Sequence, residues 1–181
     1  MVGKLLLGAL VLLMGYAAGL VSHLHYYPRE AFATFYQKIV KEGGEGSWVH
    51  RRRLNDHTFT EFPRPSNDTL YSYCMVNLDR GPVVIETPPI DRYWCVQFIR
   101  DNTDTFHYLA SRIQGLDRPA KALLVPPGYA GDSHGLEVIQ APSARVWLFG
   151  RILVNGPEDI PRVVTLQEQL KCTPLNQYRP S

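Results

Sequence analysis

The feature that most constrains this chain is an uncharged stretch near its N-terminus. Residues 5–28 contain no Lys, Arg, Asp or Glu. As a helix this stretch would be roughly 36 Å long, and the hydrocarbon core of a bilayer is roughly 30 Å thick. A helix also satisfies its own backbone hydrogen bonds, as lipid requires. The sequence therefore predicts a membrane-spanning helix that contacts the lipid bilayer through residues 5–27.

A cleaved signal peptide is the alternative interpretation of the same stretch. Lys4, the apolar core at 5–14 and the small residues at 17–19 fit that pattern. The apolar character nevertheless continues to Tyr26 and Tyr27, which suit the aromatic belt of a membrane interface. We therefore expect the helix to be retained as an anchor, with cleavage as the competing hypothesis.

The charges on the two sides of the stretch bear on its orientation. Lys4 and the α-amine precede it, whereas Arg29, Lys38 and Lys41 follow it. A positive-inside count alone places the C-terminal domain in the cytoplasm, although large domains translocate despite such charges. The signal-like start favours export. We expect a single span in a bacterial inner membrane, with the soluble domain in the periplasm.

Composition bounds the remainder of the chain. We divide the sequence into an anchor at 1–27, a short helix and connector at 28–46, and one domain at 47–181. A net charge of +2 gives no electrostatic case for binding nucleic acid. The three cysteines, Cys74, Cys95 and Cys172, form neither a metal motif nor a disulfide framework. Cys74 and Cys95 can form a disulfide if their strands are neighbours, but we expect both to be buried thiols. We expect no metal and no cofactor.

Two helices are predicted besides the anchor. Pro28 suits the first position of a helix. Apolar residues then recur at helical spacing at Phe32, Phe35, Tyr36 and Ile39, and Gly43-Gly44 predicts the end. A C-terminal helix is predicted from Pro157, with acidic residues in its first turn.

Between these helices the pattern is that of strands. We predict seven, at 70–78, 82–87, 92–99, 106–113, 122–125, 136–140 and 145–154. The first two are expected to form a hairpin around Asp79-Arg80-Gly81. In the last strand Trp147 and Phe149 share one face and Leu148 takes the other, so both faces need cover. The fold class is mainly β: an antiparallel β-sandwich or jelly-roll-like domain with the three helices described above.

Two polar loops, at 64–69 and 101–105, are the candidate functional segments. Small polar side chains often only satisfy the backbone of a turn. The functional hypothesis is that both loops meet at one end of the sandwich. The candidate ligand-binding residues are then Asn67, Asp68, Asp101, Asp104 and Arg151. Asp68, Asp101 and His107 are the catalytic candidates, because a histidine near carboxylates can act as a general base. The sequence contains no hydrolase or metalloprotease motif, so no catalytic residue is assigned.

Several sequence blocks resemble a known family in the same order. They are Pro65-Ser66-Asn67-Asp68-Thr69-Leu70-Tyr71-Ser72, Arg92-Tyr93-Trp94, Asp101-Asn102-Thr103-Asp104-Thr105-Phe106, Leu124-Val125-Pro126-Pro127-Gly128-Tyr129, Val146-Trp147-Leu148-Phe149-Gly150-Arg151 and Asn155-Gly156-Pro157-Glu158-Asp159. Together they resemble the bacterial domain of unknown function numbered 1254, from about residue 48 to residue 175. The chain departs from the family pattern at Ser66, where Asn or Pro is usual.

The resemblance implies a β-rich domain without an assigned reaction. It also implies a partner, because longer relatives continue into a second domain, numbered 1214, and short anchored forms look like separately encoded halves. The leading hypothesis is a membrane-anchored binding or structural subunit that works with a second protein carrying the complementary domain. The alternatives are a hydrolase-type enzyme or a small-ligand binder that uses the Asp68/Asp101/His107 end.

Overall fold

The computed structural model describes residues 2–55 and 66–179. Two sheets face each other, and a long N-terminal helix, α1 (Val2–Gly43), lies against the outside of one of them. The strands of the described residues are β1 (Trp48–His50), β2 (Thr69–Asn77), β3 (Val83–Thr87), β4 (Trp94–Arg100), β5 (Thr105–Ala110), β6 (Ala120–Val125), β7 (Glu137–Gln140), β8 (Arg145–Leu153) and β9 (Lys171–Pro174). Two short helices complete the fold, α2 (Ser111–Gln114) and α3 (Ile160–Glu168). The predicted mainly-β sandwich with flanking helices is confirmed.

The five-stranded sheet has the order β1-β2-β8-β4-β5, and each neighbouring pair is antiparallel. The four-stranded sheet has the order β7-β6-β3-β9. Its β6 and β7 strands run parallel, so this sheet is mixed rather than purely antiparallel. Each predicted strand has a counterpart, but the one predicted at 106–113 ends at Ala110, and residues 111–113 belong to α2. Strands β1 and β9 were not predicted.

The hairpin predicted for residues 70–87 is wrong. β2 pairs with β1 and β8 in one sheet, whereas β3 pairs with β6 and β9 in the other. A short 3₁₀ helix, Leu78–Arg80, and Gly81 at φ 115° carry the chain across from one sheet to the other. Alternating apolar residues show that both segments are strands, but they do not specify the partner of either strand.

The core lies between the inward faces of the two sheets. Leu70, Cys74 and Val76 of β2 belong to it, together with Phe98 of β4 and Leu148 of β8, and each is at most 1% exposed. Burying a large apolar side chain of this kind contributes roughly 2–3 kcal/mol. The even-numbered positions of β2 therefore face the interior, and the odd-numbered positions face outward, as strand geometry requires.

Helix α1 runs without interruption through Pro28, whereas a new helix was predicted to begin there. Proline lacks the amide hydrogen that would bond to the Leu24 carbonyl, so a break was expected. Within the adjoining turn, Arg29 Nη1 donates to the carbonyl oxygen of His25 at 2.9 Å. Apolar residues favour helix on both sides of the proline, and a proline within a long apolar helix is tolerated. The predicted end at Gly43-Gly44 is confirmed, with Gly44 N donating to Val40 O at 2.9 Å.

An ion-pair network around the buried Arg92 fixes the start of α3. The Arg92 side chain is 6% exposed and pairs with Asp91 and with Asp159. Arg162 of α3 also pairs with Asp91, at 2.7 Å. The backbone N–H of Asn155 donates to Asp159 Oδ2 at 2.9 Å. The network thus joins the segment before β4 to the turn between β8 and α3.

Candidate functional site

Asn67 and Asp68 lie in the turn that leads into β2. Both side chains are exposed. Ser66 Oγ donates to Asp68 Oδ1, and Val154 N donates to the Asp68 carbonyl at 2.8 Å. Asp68 therefore holds the start of β2 beside the end of β8.

Asp101 and Asp104 lie in the turn between β4 and β5. Asp104 N donates to Asn102 Oδ1 at 3.1 Å, and Asn102 Nδ2 donates to Asp104 Oδ2 at 2.7 Å. Thr103 has φ 70°, a left-handed conformation that these local bonds stabilise. The Asn102 and Asp104 side chains thus form hydrogen bonds within the turn, as expected if they have only a structural role.

The prediction that Asp68 and Asp101 share one end of the sandwich is wrong. β2 and β4 are both antiparallel to β8, so they run in the same direction. Asp68 precedes β2 and Asp101 follows β4, which places them at opposite ends of the five-stranded sheet. The nine residues of β2 span about 26 Å at roughly 3.3 Å per residue. A hydrolase or ligand site that combines these two carboxylates is therefore excluded by the register.

His107 and Arg151, the other two candidates, are also separated. His107 pairs with Phe98 near the Asp101 end, and its Nε2 lies 3.8 Å from Glu137 Oε1. Because β5 and β7 are edge strands of different sheets, this contact links the two sheets. Arg151 lies near the Asp68 end, where it pairs with Tyr71 across the strands. The sequence candidates thus form two groups, one at each end.

Arg151 belongs to an aromatic surface on the outside of the five-stranded sheet. Its guanidinium lies 5.3 Å from the Phe149 ring centroid, and its Nη2 donates to Gln97 Oε1 at 3.2 Å. Phe149 stacks against Tyr71 and Tyr73 with interplanar angles of 11° and 4°. Such stacks add roughly 0.5–1.5 kcal/mol per pair to the burial of the rings.

Helix α1 packs against this outer surface through a cluster of apolar and aromatic side chains. We call it the anchor junction. Its members are Phe32, Phe35, Tyr36 and Ile39 of α1 with Tyr73 and Met75 of β2 and Trp147 of β8. Ile39 and Met75 are fully enclosed, and the Phe35 and Trp147 ring centroids are 4.6 Å apart. The helical spacing of these residues predicted the buried face of the helix correctly, and α1 supplies cover for the outward face of Trp147.

Polar contacts tie the end of α1 to the same surface. Tyr36 donates its hydroxyl hydrogen to Glu45 Oε1 at 2.7 Å, and Arg80 pairs with Glu45 at 3.1 Å. Arg51 pairs with Glu42 of α1 at 2.7 Å, which lowers the pKa of the Glu42 carboxyl. Two arginines of the 51–53 run therefore pair with nearby carboxylates, since Arg52 pairs with Glu168 of α3.

A buried polar cluster that the sequence did not reveal joins α3 to the five-stranded sheet. Gln167 Nε2 donates to the Tyr71 carbonyl and to Ser72 Oγ, both at 3.0 Å. His50 Nδ1 lies 2.9 Å from the same serine oxygen. Ser72 is 1% exposed, so its hydroxyl is inaccessible to a substrate and the cluster positions α3. Gly150 faces Ser72, and a Cβ there would lie 3.2 Å from the serine Cβ.

Stability should depend on pH through His50. Burial lowers the pKa of His50, with a further contribution from Arg52 and an opposing one from Glu168. The unfolded chain then binds a proton more tightly than the native one, so stability falls as pH drops below about 6.5. Thermal unfolding of His50→Asn, compared with the parent between pH 7.5 and 5, should show a smaller decrease in Tm. Equal decreases in both proteins would contradict this assignment.

In the part of the chain that the structure describes, no three His, Cys, Asp or Glu side chains group together. Cys74 and Cys95 are buried and unbonded to each other, which confirms the expectation of buried thiols. Arg64 and Pro65, the first two residues of the predicted polar loop at 64–69, lie outside the described residues.

Comparisons with known proteins agree with the fold. A family model described as "Protein of unknown function (DUF1254)" matches residues 46–174. A crystal structure of the VPA0106 protein from Vibrio parahaemolyticus is similar, with a TM-score of 0.70, 19% identity, and coverage of 86% of this chain and 37% of that one. An uncharacterized protein from Burkholderia cenocepacia has a TM-score of 0.50 and 14% identity, with coverage of 89% and 44%.

The TM-scores show a shared fold, and identities this low show nothing about activity. The chain spans less than half the length of either solved structure. No curated protein matches it.

Proposed function

Because this chain belongs to the family described as protein of unknown function (DUF1254), as its sequence blocks predicted, we propose that it is a membrane-anchored envelope protein. It acts as a binding or structural subunit together with a second β domain. The proposal rests on the different surroundings of the two parts of helix α1. The first part is apolar and exposed, and the second part packs on the sandwich.

The apolar part of α1 is suited to lipid. It has a mean hydropathy of 2.2 over an 18-residue window, and none of that window is buried in the protein. The exposed side chains include Leu5, Leu12, Val21 and Tyr27, each at least 59% exposed. An apolar surface this large is unfavourable in water and favourable in a bilayer. Helix α1 is therefore compatible with membrane anchoring, and we propose a single span with the helix retained.

The proposed location is the inner membrane of a bacterium, with the sandwich in the periplasm. The supporting argument is the signal-like order of Lys4, an apolar core and small residues. The packed part of α1 begins at Phe32, five residues after Tyr27, which is about 7.5 Å of helix. The sandwich is then held close to the lipid headgroups rather than on a flexible tether.

The proposed partner carries a β domain of the kind numbered 1214. Its support is that the two similar solved chains extend well beyond the region that this chain covers, since 37% and 44% of them are matched. We propose that a separate protein supplies the corresponding part to this chain. Among the described strands, β1 and β9 each lie at the edge of a sheet, and we propose that the partner contacts one of these edges.

Membrane anchoring predicts the behaviour of the full chain during extraction. After expression in a Gram-negative bacterium, the protein should stay in the membrane pellet under alkaline carbonate and retain its N-terminus. A Leu10→Arg/Leu12→Arg variant should be released, because each arginine costs about 2.5–3.5 kcal/mol at a bilayer centre. A mature N-terminus between residues 15 and 25 would contradict the proposal.

The partner is tested by co-expression. The full chain, tagged at its C-terminus and solubilised in mild detergent, should co-elute with a co-expressed protein that carries the second domain. Elution as a monomer in its presence, with no gain in Tm, would contradict the partner hypothesis while leaving the anchoring result unaffected.

A further inference from the structure

Two of the three cysteines meet across the interior of the sandwich. Cys74 of β2 faces inward and is fully buried within the core between the sheets. Cys172 of β9 packs against the same core, and it pairs with the inward-facing Ile85 of β3. Burial raises the pKa of the Cys74 thiol, and the neighbouring Cys172 thiol raises it further, although their strands belong to different sheets.

The path of the chain independently brings these residues together. Gln167, near the end of α3, bonds to Ser72 of β2, which is two residues from Cys74. The chain continues from α3 through Leu170, 7% exposed, into β9. β9 is an edge strand bound to β3 alone among the described strands. A shift of β9 toward β2 would therefore disturb the pairing of β9 with β3 and no other described strand pair.

We propose that Cys74 and Cys172 form a disulfide bond that joins the two sheets when the domain is in an oxidising compartment. Cys172 is half-buried, so it is the thiol that an external disulfide reaches first. Its thiolate attacks that disulfide, forms a mixed disulfide and releases one external thiol. The Cys74 thiolate then attacks the sulfur of Cys172 and releases the second external thiol. Two cysteine thiols are oxidised and one external disulfide is reduced.

Cys95 provides the internal control. It is 3% exposed and lies on β4, where its cross-strand neighbours are Ala110 and Arg151. Its side chain is near the Arg151 guanidinium rather than near another thiol. Cys95 therefore remains reduced, and the sequence-level alternative of a Cys74–Cys95 pair is replaced by a pair that links the two sheets.

The physiological part of this inference rests on the proposed periplasmic location, so the test has two arms. In the first, full chain in detergent micelles is equilibrated with reduced and oxidised glutathione, alkylated and mapped by mass spectrometry. We expect one linked peptide pair containing Cys74 and Cys172, also in Cys95→Ser but absent in Cys172→Ser. The loop closed is about 100 residues long, so oxidation should raise Tm by on the order of 10 °C.

In the second arm, cells are treated with an alkylating reagent before lysis and the same peptides are mapped. A linked pair in both arms supports the bond and the periplasmic location together. A pair formed with glutathione but absent from cells supports the thiol pairing and contradicts the periplasmic location. Absence of the pair in glutathione, with all three cysteines alkylated, overturns the inference even if the protein is exported.

Discussion

Replacing Arg92 with alanine should lower the free energy of unfolding by about 1–3 kcal/mol, because it leaves the partly buried Asp159 carboxylate without its counter-ion. The Arg92 side chain is 6% exposed, and its partner Asp159 is 13% exposed. The hydrogen bonds to Arg92 and Arg162 hold the pKa of the Asp91 carboxyl below its usual range. Urea unfolding of the full chain in mild detergent, followed by near-ultraviolet circular dichroism, measures the effect.

Two variants make this test specific. Arg112→Ala removes an exposed arginine from α2 and should change the free energy of unfolding by less than about 0.5 kcal/mol. Arg92→Lys keeps the charge but loses the planar donor geometry, so it should lie between the parent and Arg92→Ala. An Arg92→Ala protein as stable as the Arg112→Ala control would show that the network contributes little.

The second large effect is expected in the anchor junction. Ile39→Ala should destabilise the folded chain by about 2–5 kcal/mol, because the site is fully enclosed by α1 and the outer face of the sheet. The variant should also change Trp147 fluorescence, since Trp147 packs against Phe35 one turn away from the cavity. Urea unfolding of the full chain in detergent measures the first effect, and emission spectra measure the second.

Gln37 provides the matched control on the same helix. Its side chain is exposed, so Gln37→Ala should leave both the unfolding free energy and the emission spectrum close to those of the parent. If Ile39→Ala behaves in the same way as Gln37→Ala, the helix does not depend on this contact, and the anchor junction has been assigned too large a role.

The sequence predicted the positions of helices and strands better than it predicted which strands pair with each other. Alternation located most of the strands, and the spacing of Phe32, Tyr36 and Ile39 located the buried face of α1. Nothing in the alternation of residues 70–87 indicated that β2 and β3 would enter different sheets. Strands β1 and β9 are three and four residues long, too short to carry a pattern of their own.

The prediction that Asp68 and Asp101 lie at the same end of the sandwich failed for a related reason. Asp68 and Asp101 were each placed correctly, one before a strand and one after a strand. Whether two such loops meet depends on the directions of the strands, and β2 and β4 run in the same direction because both pair antiparallel with β8. Strand β8 is far from β2 and β4 in the sequence, so neither loop contains a local pattern that indicates these pairings.

Two pairs of the family-like blocks now have a structural explanation. Arg92 belongs to one block and Asp159 to another, and their side chains form the buried ion pair. Likewise, Tyr71 and Phe149 come from separate blocks and stack on the outer face of the sheet. These residues contribute to the stability of the domain and to the packing on the outer face of the sheet.

The central claim is that α1 joins the membrane and the sandwich into one body through the anchor junction. Amide hydrogen exchange of the full chain in lipid nanodiscs tests it most directly. Peptides that cover residues 32–39 should be protected as strongly as those from β2 and β8, because packing on the sheet keeps this part of the helix closed. A helix without such packing opens readily. Exchange of residues 32–39 within seconds, with β2 and β8 still protected, would contradict the claim.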